Sequence, residues 1–371
     1  MVLLILAGIT ISQVFSENGI IAKAQDAKRL WEEVAKNELD AIEELEKQLS
    51  GILDENYGRG EIILENVVPK NISEAKQFGT IFEEKVTILD DLNNKVTIPS
   101  GFKVAEDSAT TVGDGIVIED VMAGDSTSNG NQFVWIPVGE YTNGSGRQVN
   151  NLAKRNFTSN GATEKENTDT TSLPNDGIKI VDEETTIYEL EDSIEKFKNS
   201  ANQNGGFYIA RYEAGGYGIC TISKANHETC GDMIWKTDYG YEINPNIKET
   251  TANIYKDNST VESYIVNTYA RDTAINFMCQ NASRGYNIAV ATDIGKSTKG
   301  LTGTNPQDCF SNIYDMAGNV NELLIDEGLI AGGDYKNTGL SMSSAEKRYW
   351  LYDQPLSYYD NYGFRFLAYI E

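Results

Sequence analysis

Side chains able to carry out chemistry are few in this chain. Its four cysteines are Cys220, Cys230, Cys279 and Cys309, and His227 is the single histidine. None of the cysteines forms a C-x-x-C pair, so a zinc centre has no close ligand pair to anchor it. Cys220 and Cys230 allow two readings: a bridge across a hairpin in an oxidising compartment, or buried free thiols. His227 lies in the polar stretch ANHETCG, which lacks the nucleophile elbow that a Ser-His-Asp mechanism needs. The other concentration of functional groups is GGDYKNTGLSMSSAEKRYWLYDQPLSYYDNYGFR, residues 332 to 365, with six tyrosines and one tryptophan. Tyr and Trp offer large rigid contact area with few rotors, and Ser, Asn and Gly adapt their hydrogen bonds, which is the mixture that binding loops use. The candidate ligand-binding residues are Asp334, Tyr335, Asn337, Ser341, Ser343, Tyr349, Trp350, Tyr352, Asp353, Tyr358, Tyr359, Asp360, Asn361 and Tyr362. Trp350 and the tyrosines are the anchors among them.

The whole chain must position that stretch. Its 371 residues suffice for two or three domains, and an apolar fraction of 40% can supply a core. A net charge of -25 argues against nucleic acid as a partner, because phosphate binding needs clustered Lys and Arg. At the N-terminus, residues 2 to 11 are apolar apart from Thr10. They are too few alone for a membrane span of ~20 residues, and no basic segment precedes them. Leu30, Val34, Leu39, Ile42, Leu45 and Leu49 then recur at helical spacing. One continuous helix, apolar in front and amphipathic behind, is expected over 1–50. The runs EIILENVV, KVTILDD and NKVTIPSGFKVAED are short, β-rich and separated by turn residues. They predict a β-rich connector over 51–130. FVWIPVGEY and GGFYIARYEAGG read as strands, and 142–186 as a polar surface insertion. Helices are expected over 188–206 and 266–283, the second with Ala270, Ala274, Phe277 and Met278 on one side.

The stretch LLILAGITI followed by ENGIIAKAQDAK resembles the N-terminal helix of type IV pilin-like proteins. That resemblance implies membrane attachment through the helix and export to the cell surface. It also implies a basic leader and a G-[FI]-T-L processing site, which are absent here, so the reading frame is expected to begin inside the hydrophobic segment. Four further phrases fall in order: FVWIPVGEY, GGFYIARYEAG, NIYDMAGNVNELL and the terminal GG…YGFRFLAYI. Over 131–371 they resemble the formylglycine-generating-enzyme, or sulfatase-modifying-factor, domain, a variant of the C-type lectin fold. The expected fold class is therefore α+β. A C-type-lectin-like domain over 131–371 follows a long N-terminal helix and a small β-rich connector.

The same resemblance bears on chemistry. In calcium-binding members the GNV turn supplies oxygen ligands, and the matching positions are Asn319, the Val320 carbonyl and Glu322, whose hard oxygens suit calcium. Calcium is the one cofactor implied. Arg365 is expected as a structural ion-pair partner, with a substrate clamp as the alternative. Where the family reads GNVWEW, this chain has Asn321 and Leu323, a departure at packing positions. The family's oxidases hold copper through two cysteines between the paired glycines and GFR, and no cysteine lies between Gly333 and Gly363. The iron-dependent branch uses a histidine-rich site, against one histidine here. The expected protein is thus not an enzyme. The fold also serves as the display scaffold of diversity-generating retroelements, whose adenine-directed mutation scatters Asn codons to Tyr, Asp and Ser in a C-terminal variable segment. The expectation is a surface-displayed protein that binds a protein or cell-surface ligand through 332–365. The alternatives are a structural pilin-like subunit without a dedicated ligand, and an oxidase lacking its catalytic cysteines.

Overall fold

The computed structural model describes residue 28 and residues 69–121, 130–158, 161–164, 187–215, 223–227, 229, 234–237, 240–243, 254–255, 258–282, 300–304, 306–324, 329–332, 348–350 and 362–371. Val68–Glu371 form one compact unit and Met1–Val67 another. In chain order the described strands begin with β1 (Val86–Leu89), β2 (Lys95–Ile98), β3 (Phe102–Val104), β4 (Val117–Asp120), β5 (Gln132–Pro137), β6 (Gly139–Asn143) and β7 (Gly146–Asn150). There follow β8 (Arg155–Thr158), β9 (Gly161–Glu164), β10 (Gly206–Ala210), β11 (Ile234–Thr237), β12 (Gly240–Ile243) and β13 (Val261–Ile265). The last are β14 (Cys309–Phe310), β15 (Ile313–Tyr314), β16 (Asn321–Leu324), β17 (Leu329–Ala331), β18 (Arg348–Trp350), β19 (Tyr362–Gly363) and β20 (Phe366–Ile370). The α-helices are α1 (Ile72–Phe78), α2 (Ile187–Asn204) and α3 (Thr268–Asn281).

A six-stranded sheet in the order β13-β20-β10-β5-β4-β3 forms the centre, every pair antiparallel. All residues of β10 and β20 are buried, so these strands bury both faces rather than alternating between core and solvent. Helix α2 lies on one face. Its Phe197 meets Phe207 edge-on at 5.2 Å and approaches Tyr369 at 5.8 Å. On the other face Trp135 packs edge-on against Tyr208 at 5.0 Å, and the Tyr208 hydroxyl donates to the Thr97 carbonyl at 3.0 Å. Gly206 lies opposite Pro137, and a Cβ there would fall 2.4 Å from the Trp135 ring. Helices α1 and α3 both start on an asparagine cap. Asn71 accepts from Glu74 N–H and Asn267 from Ala270 N–H, each satisfying an N–H that the helix leaves unpaired.

This architecture corrects the expected α+β layout. Of the described residues 39% lie in strands and 20% in helices, the latter in three short α-helices. No long N-terminal helix is among them. The helix expected over 1–50 lies outside the described residues, except for Lys28, which is helical. The physical reason for the β-rich outcome is run length. Apolar stretches of four to six residues bounded by Gly, Asn and Pro bury themselves by pairing with distant strands, and they are too short to do so as helices. The connector over 51–130 is also not set apart from the domain expected over 131–371. Ile118 in β4 pairs with Phe133 in β5, so the line between 130 and 131 falls inside one sheet. Part of the polar insertion is ordered as the β6–β7 and β8–β9 hairpins, and 165–186 lie outside the described residues. Among the described residues no helix is long and apolar enough to cross a membrane.

Candidate functional site

The C-terminal stretch is framed by a second sheet, ordered β18-β17-β16-β19. The chain leaves it after β17, returns as β18 with Tyr349 opposite Ile330 and Trp350 opposite Leu329, and returns again as β19 with Tyr362 opposite Asn321. The segments 333–347 and 351–361 therefore start and finish on one sheet. Tyr349, Trp350 and Tyr362 are placed as strand positions. Asp334, Tyr335, Asn337, Ser341, Ser343, Tyr352, Asp353, Tyr358, Tyr359, Asp360 and Asn361 lie outside the described residues.

One buried carboxylate joins the two ends of this stretch. Glu322 in β16 is fully buried. Its Oε1 accepts from Arg365 Nε at 2.6 Å and its Oε2 from Arg271 Nε at 3.2 Å. Arg365 lies two residues beyond β19. It also donates to the carbonyls of Ala210 at 3.0 Å, Tyr314 at 2.8 Å and Asp315 at 3.3 Å. Arg271, on α3, donates from Nη2 to the Met316 carbonyl at 2.9 Å. That same nitrogen stands 3.2 Å from where a Cβ on Gly332 would lie. Gly332 has φ +91°, and its carbonyl accepts from Gly318 N–H at 2.8 Å. Arg365, which closes the stretch, and Arg271, which lies beside the glycine that opens it, thus meet the same anion. The expected ion-pair role of Arg365 is realised here, with Glu322 as its partner.

The turn before β16 is held equally closely. Asp315, Gly318 and Asn319 adopt left-handed backbone at φ +54°, +94° and +56°, a conformation Gly, Asp and Asn accept most readily. Asn319 donates through Nδ2 to Glu213 and, at 3.0 Å, to Thr229 Oγ1, while its Oδ1 accepts from Gly300 N–H at 2.7 Å. Val320 N–H donates to Glu213 Oε1 at 3.2 Å. Of the three candidate calcium ligands, the oxygens of Asn319 and Glu322 are already engaged by neighbouring donors. Calcium there competes with two guanidinium groups for Glu322 and with Gly300 N–H for Asn319. Among the described residues no group of three or more His, Cys, Asp or Glu is arranged to hold a metal. At the two positions where the family's wording departs, Leu323 is fully buried and Asn321 nearly so, so both fill packed sites.

Two buried charges in YIARYEAG escaped the sequence reading. Glu213 is fully buried beneath Asn319. Burial lifts its carboxyl well above the ordinary range, and the nearby anions Asp315 and Glu322 push the same way against Arg365. Arg211 is 3% exposed. It donates to Asp107 Oδ2 at 2.7 Å, Gln132 Oε1 at 2.8 Å and Asn312 Oδ1 at 3.2 Å. Its guanidinium lies 5.4 Å and 5.6 Å from the rings of Tyr212 and Tyr314, which stack 5.1 Å apart. Cys309 faces Tyr314 across the β14–β15 ladder, and burial raises its thiol above the usual value. It and Cys279 are free thiols; Cys220 and Cys230 lie outside the described residues. The signal for Arg211 and Glu213 was present as two opposite charges inside an otherwise apolar run, since a buried charge demands a partner. Comparison with known proteins finds no matching family, no matching curated protein and no matching solved structure.

Proposed function

We propose that the chain is a non-catalytic surface protein, attached through its N-terminal segment, that binds a protein or cell-surface ligand through residues 334–362. The observation supporting this reading is the frame. Both aromatic, Ser- and Asn-rich segments leave and re-enter one sheet, and their two ends converge on Glu322. Rigid elements carrying variable polar-aromatic segments are the usual way a fold presents contact residues. Residues of the network, Arg271, Glu322 and Arg365, all lie outside the segments they hold, so contact residues can be exchanged without disturbing it. The resemblance to retroelement-diversified proteins adds that these segments are the diversified part.

The test is binding of fluorescently labelled full-length chain to a panel of intact bacterial and animal cells. Its comparison is the variant carrying Tyr352→Ser, Tyr358→Ser and Tyr359→Ser. Saturable binding to at least one cell type, lost in the variant with unfolding temperature unchanged, supports the proposal. Equal binding by both proteins, or none by either, refutes it. Sequencing the coding segment across sibling isolates tests diversification. Substitutions gathered in 334–362 with Gly332, Glu322 and Arg365 unchanged support it, and an even spread counts against it.

A further inference from the structure

A polar cavity of about 510 Å³ lies away from the C-terminal sheet, between the β1–β2 turn, the β5–β6 corner and the end of α2. Its lining includes Asn93, Lys95, Glu140, Arg147, Asn202 and Gln203. The edge of β6 forms part of it. In the β6–β7 hairpin Asn143 pairs with Gly146 across a two-residue turn. Antiparallel alternation then turns the peptide groups of Asn143, Tyr141 and Gly139 toward β7, and those of Thr142 and Glu140 outward. The outward pair at Thr142 is already filled. Thr142 N–H donates to Asn94 Oδ1 at 2.7 Å, and Asn94 Nδ2 donates to the Thr142 carbonyl at 2.8 Å. Asn94 is itself fixed by Asp90, at 2.7 Å through both its backbone N–H and its side-chain amide. On the other side Val138 N–H donates to the Gly205 carbonyl at 2.9 Å. Between these two closed positions, the N–H and C=O of Glu140 meet no partner among the described residues.

We infer that this cavity is a peptide-binding site, in which one residue of an extended, acidic peptide completes the open rung at Glu140. The Asn94 amide shows how the neighbouring rung is satisfied, by one donor and one acceptor presented together. A peptide group offers the same pair, and strand addition to an open edge is a general recognition mode. Flanking amides extend the match. Asn202 and Asn204 donate to the carbonyls of Lys198 at 2.8 Å and Ser200 at 3.0 Å, which leaves their own oxygens as acceptors. The side chains of Asn93 and Gln203 have no partner among the described residues. Charge selects the acidic side chain. Arg147 pairs with Glu140, whereas Lys95 is exposed and has no ion-pair partner among the described residues. The charged side chains of the lining, Lys95, Arg147 and Glu140, sum to +1 in a chain of net charge -25, so the cavity is locally suited to an anion.

The experiment pans a phage-displayed library of random linear octapeptides on the full-length chain, then titrates the enriched peptides, synthesised with capped ends, by calorimetry. Enriched sequences should carry Asp or Glu. Methylating one backbone nitrogen of the peptide should weaken binding about tenfold, as loss of a backbone hydrogen bond does. Glu140→Pro, which removes an outward-facing N–H that an edge strand can spare, should weaken it to a similar extent. Glu140→Gln, which frees Arg147, should preserve or strengthen it, and Lys95→Glu should remove the preference for acidic peptides. Binding indifferent to peptide N-methylation and to Glu140→Pro overturns the assignment, as does failure of any peptide to enrich. The site is independent of residues 334–362, so the triple tyrosine variant should bind these peptides unchanged. Loss of peptide binding in that variant, with Glu140→Pro unaffected, would move the binding to the aromatic segments and end this proposal.

Discussion

Replacing Glu322 by Gln tests the frame most directly, because the change keeps shape and removes only the anion. Its oxygens are the shared acceptors of Arg365 Nε at 2.6 Å and Arg271 Nε at 3.2 Å. Removing one partner of a buried ion pair costs about 3–5 kcal/mol, since a desolvated charge is left uncompensated. Several features place this site at the lower end. Arg365 keeps three carbonyl acceptors and Arg271 keeps the Met316 carbonyl, and the Gln oxygen can still accept from one guanidinium. Its amide nitrogen, however, presents a donor to the other. The expected loss is about 3 kcal/mol, which at about 2 °C per kcal/mol for a large domain lowers the unfolding temperature by about 6 °C. Differential scanning calorimetry of the full chain at neutral pH measures it. The double variant Glu322→Gln with Glu213→Gln adds a second check. Glu213 lies close enough to feel both Glu322 and Arg365, so with Glu322 neutral it can ionise in compensation. The two substitutions together should cost more than their sum. A loss below about 0.5 kcal/mol for Glu322→Gln, the range of ordinary surface changes, would refute the clamp.

Three other outcomes are expected at single sites. Glu213 ionises near 4.5 in the unfolded chain and well above that when buried. Between those values the folded state holds the extra proton, so this group's contribution falls as pH rises above 4.5, by up to about 1.4 kcal/mol per unit. Glu213→Gln should flatten that slope in urea titrations at a series of pH values, and an unchanged slope would reject the buried acid. Gly206→Ala places a Cβ 2.4 Å from Trp135 Cζ2 and 2.6 Å from the Ile136 carbonyl, and should cost about 3 kcal/mol by overpacking, read as a lowered unfolding temperature. Asn71→Ala removes the side chain that accepts from Glu74 N–H at 2.8 Å and should cost about 1 kcal/mol, with Asn71→Asp close to neutral in the same assay.

Some of this structure could be read from the sequence, and the divide follows sequence distance. The helix expected over 266–283 is present as Thr268–Asn281, because its apolar spacing and its Asn267 cap are local signals. The run GGFYIARYEAGG does contain a strand, Gly206–Ala210. That this strand is central rather than half-exposed depends on β20, whose Leu367 pairs with Ile209 from the far end of the chain. No local pattern reports such a pairing. Helix α1 had a legible start in NISE, an Asn cap with Glu three residues on, but seven residues are too few for periodicity to stand out. The site shows a different limit. Arg365 was readable as an ion-pair partner and Glu322 as an oxygen ligand. A carboxylate serves a guanidinium or a metal equally well, and only the approach of Arg271 and Arg365 reveals its partners.

Those partners also bear on why charges, rather than apolar side chains, occupy the junction. A buried ion pair is a poor source of net stability compared with well-packed apolar residues, so stability alone does not account for two guanidinium groups meeting at Glu322. Register does. Strand β19 has two residues, and its ladder to β16 consists of Asn321 opposite Tyr362 and Glu322 opposite Gly363. Two rungs hold a strand weakly, and a slip of one residue would reverse every side chain between the faces. It would also carry the error into β20, which pairs with both β10 and β13 in the central sheet. Arg365 cannot follow such a slip. It is tied at once to Glu322, Ala210, Tyr314 and Asp315, which belong to three separate parts of the chain. A directional network of that kind fixes where the aromatic segment ends, whatever its side chains are, and an apolar contact of equal strength would not.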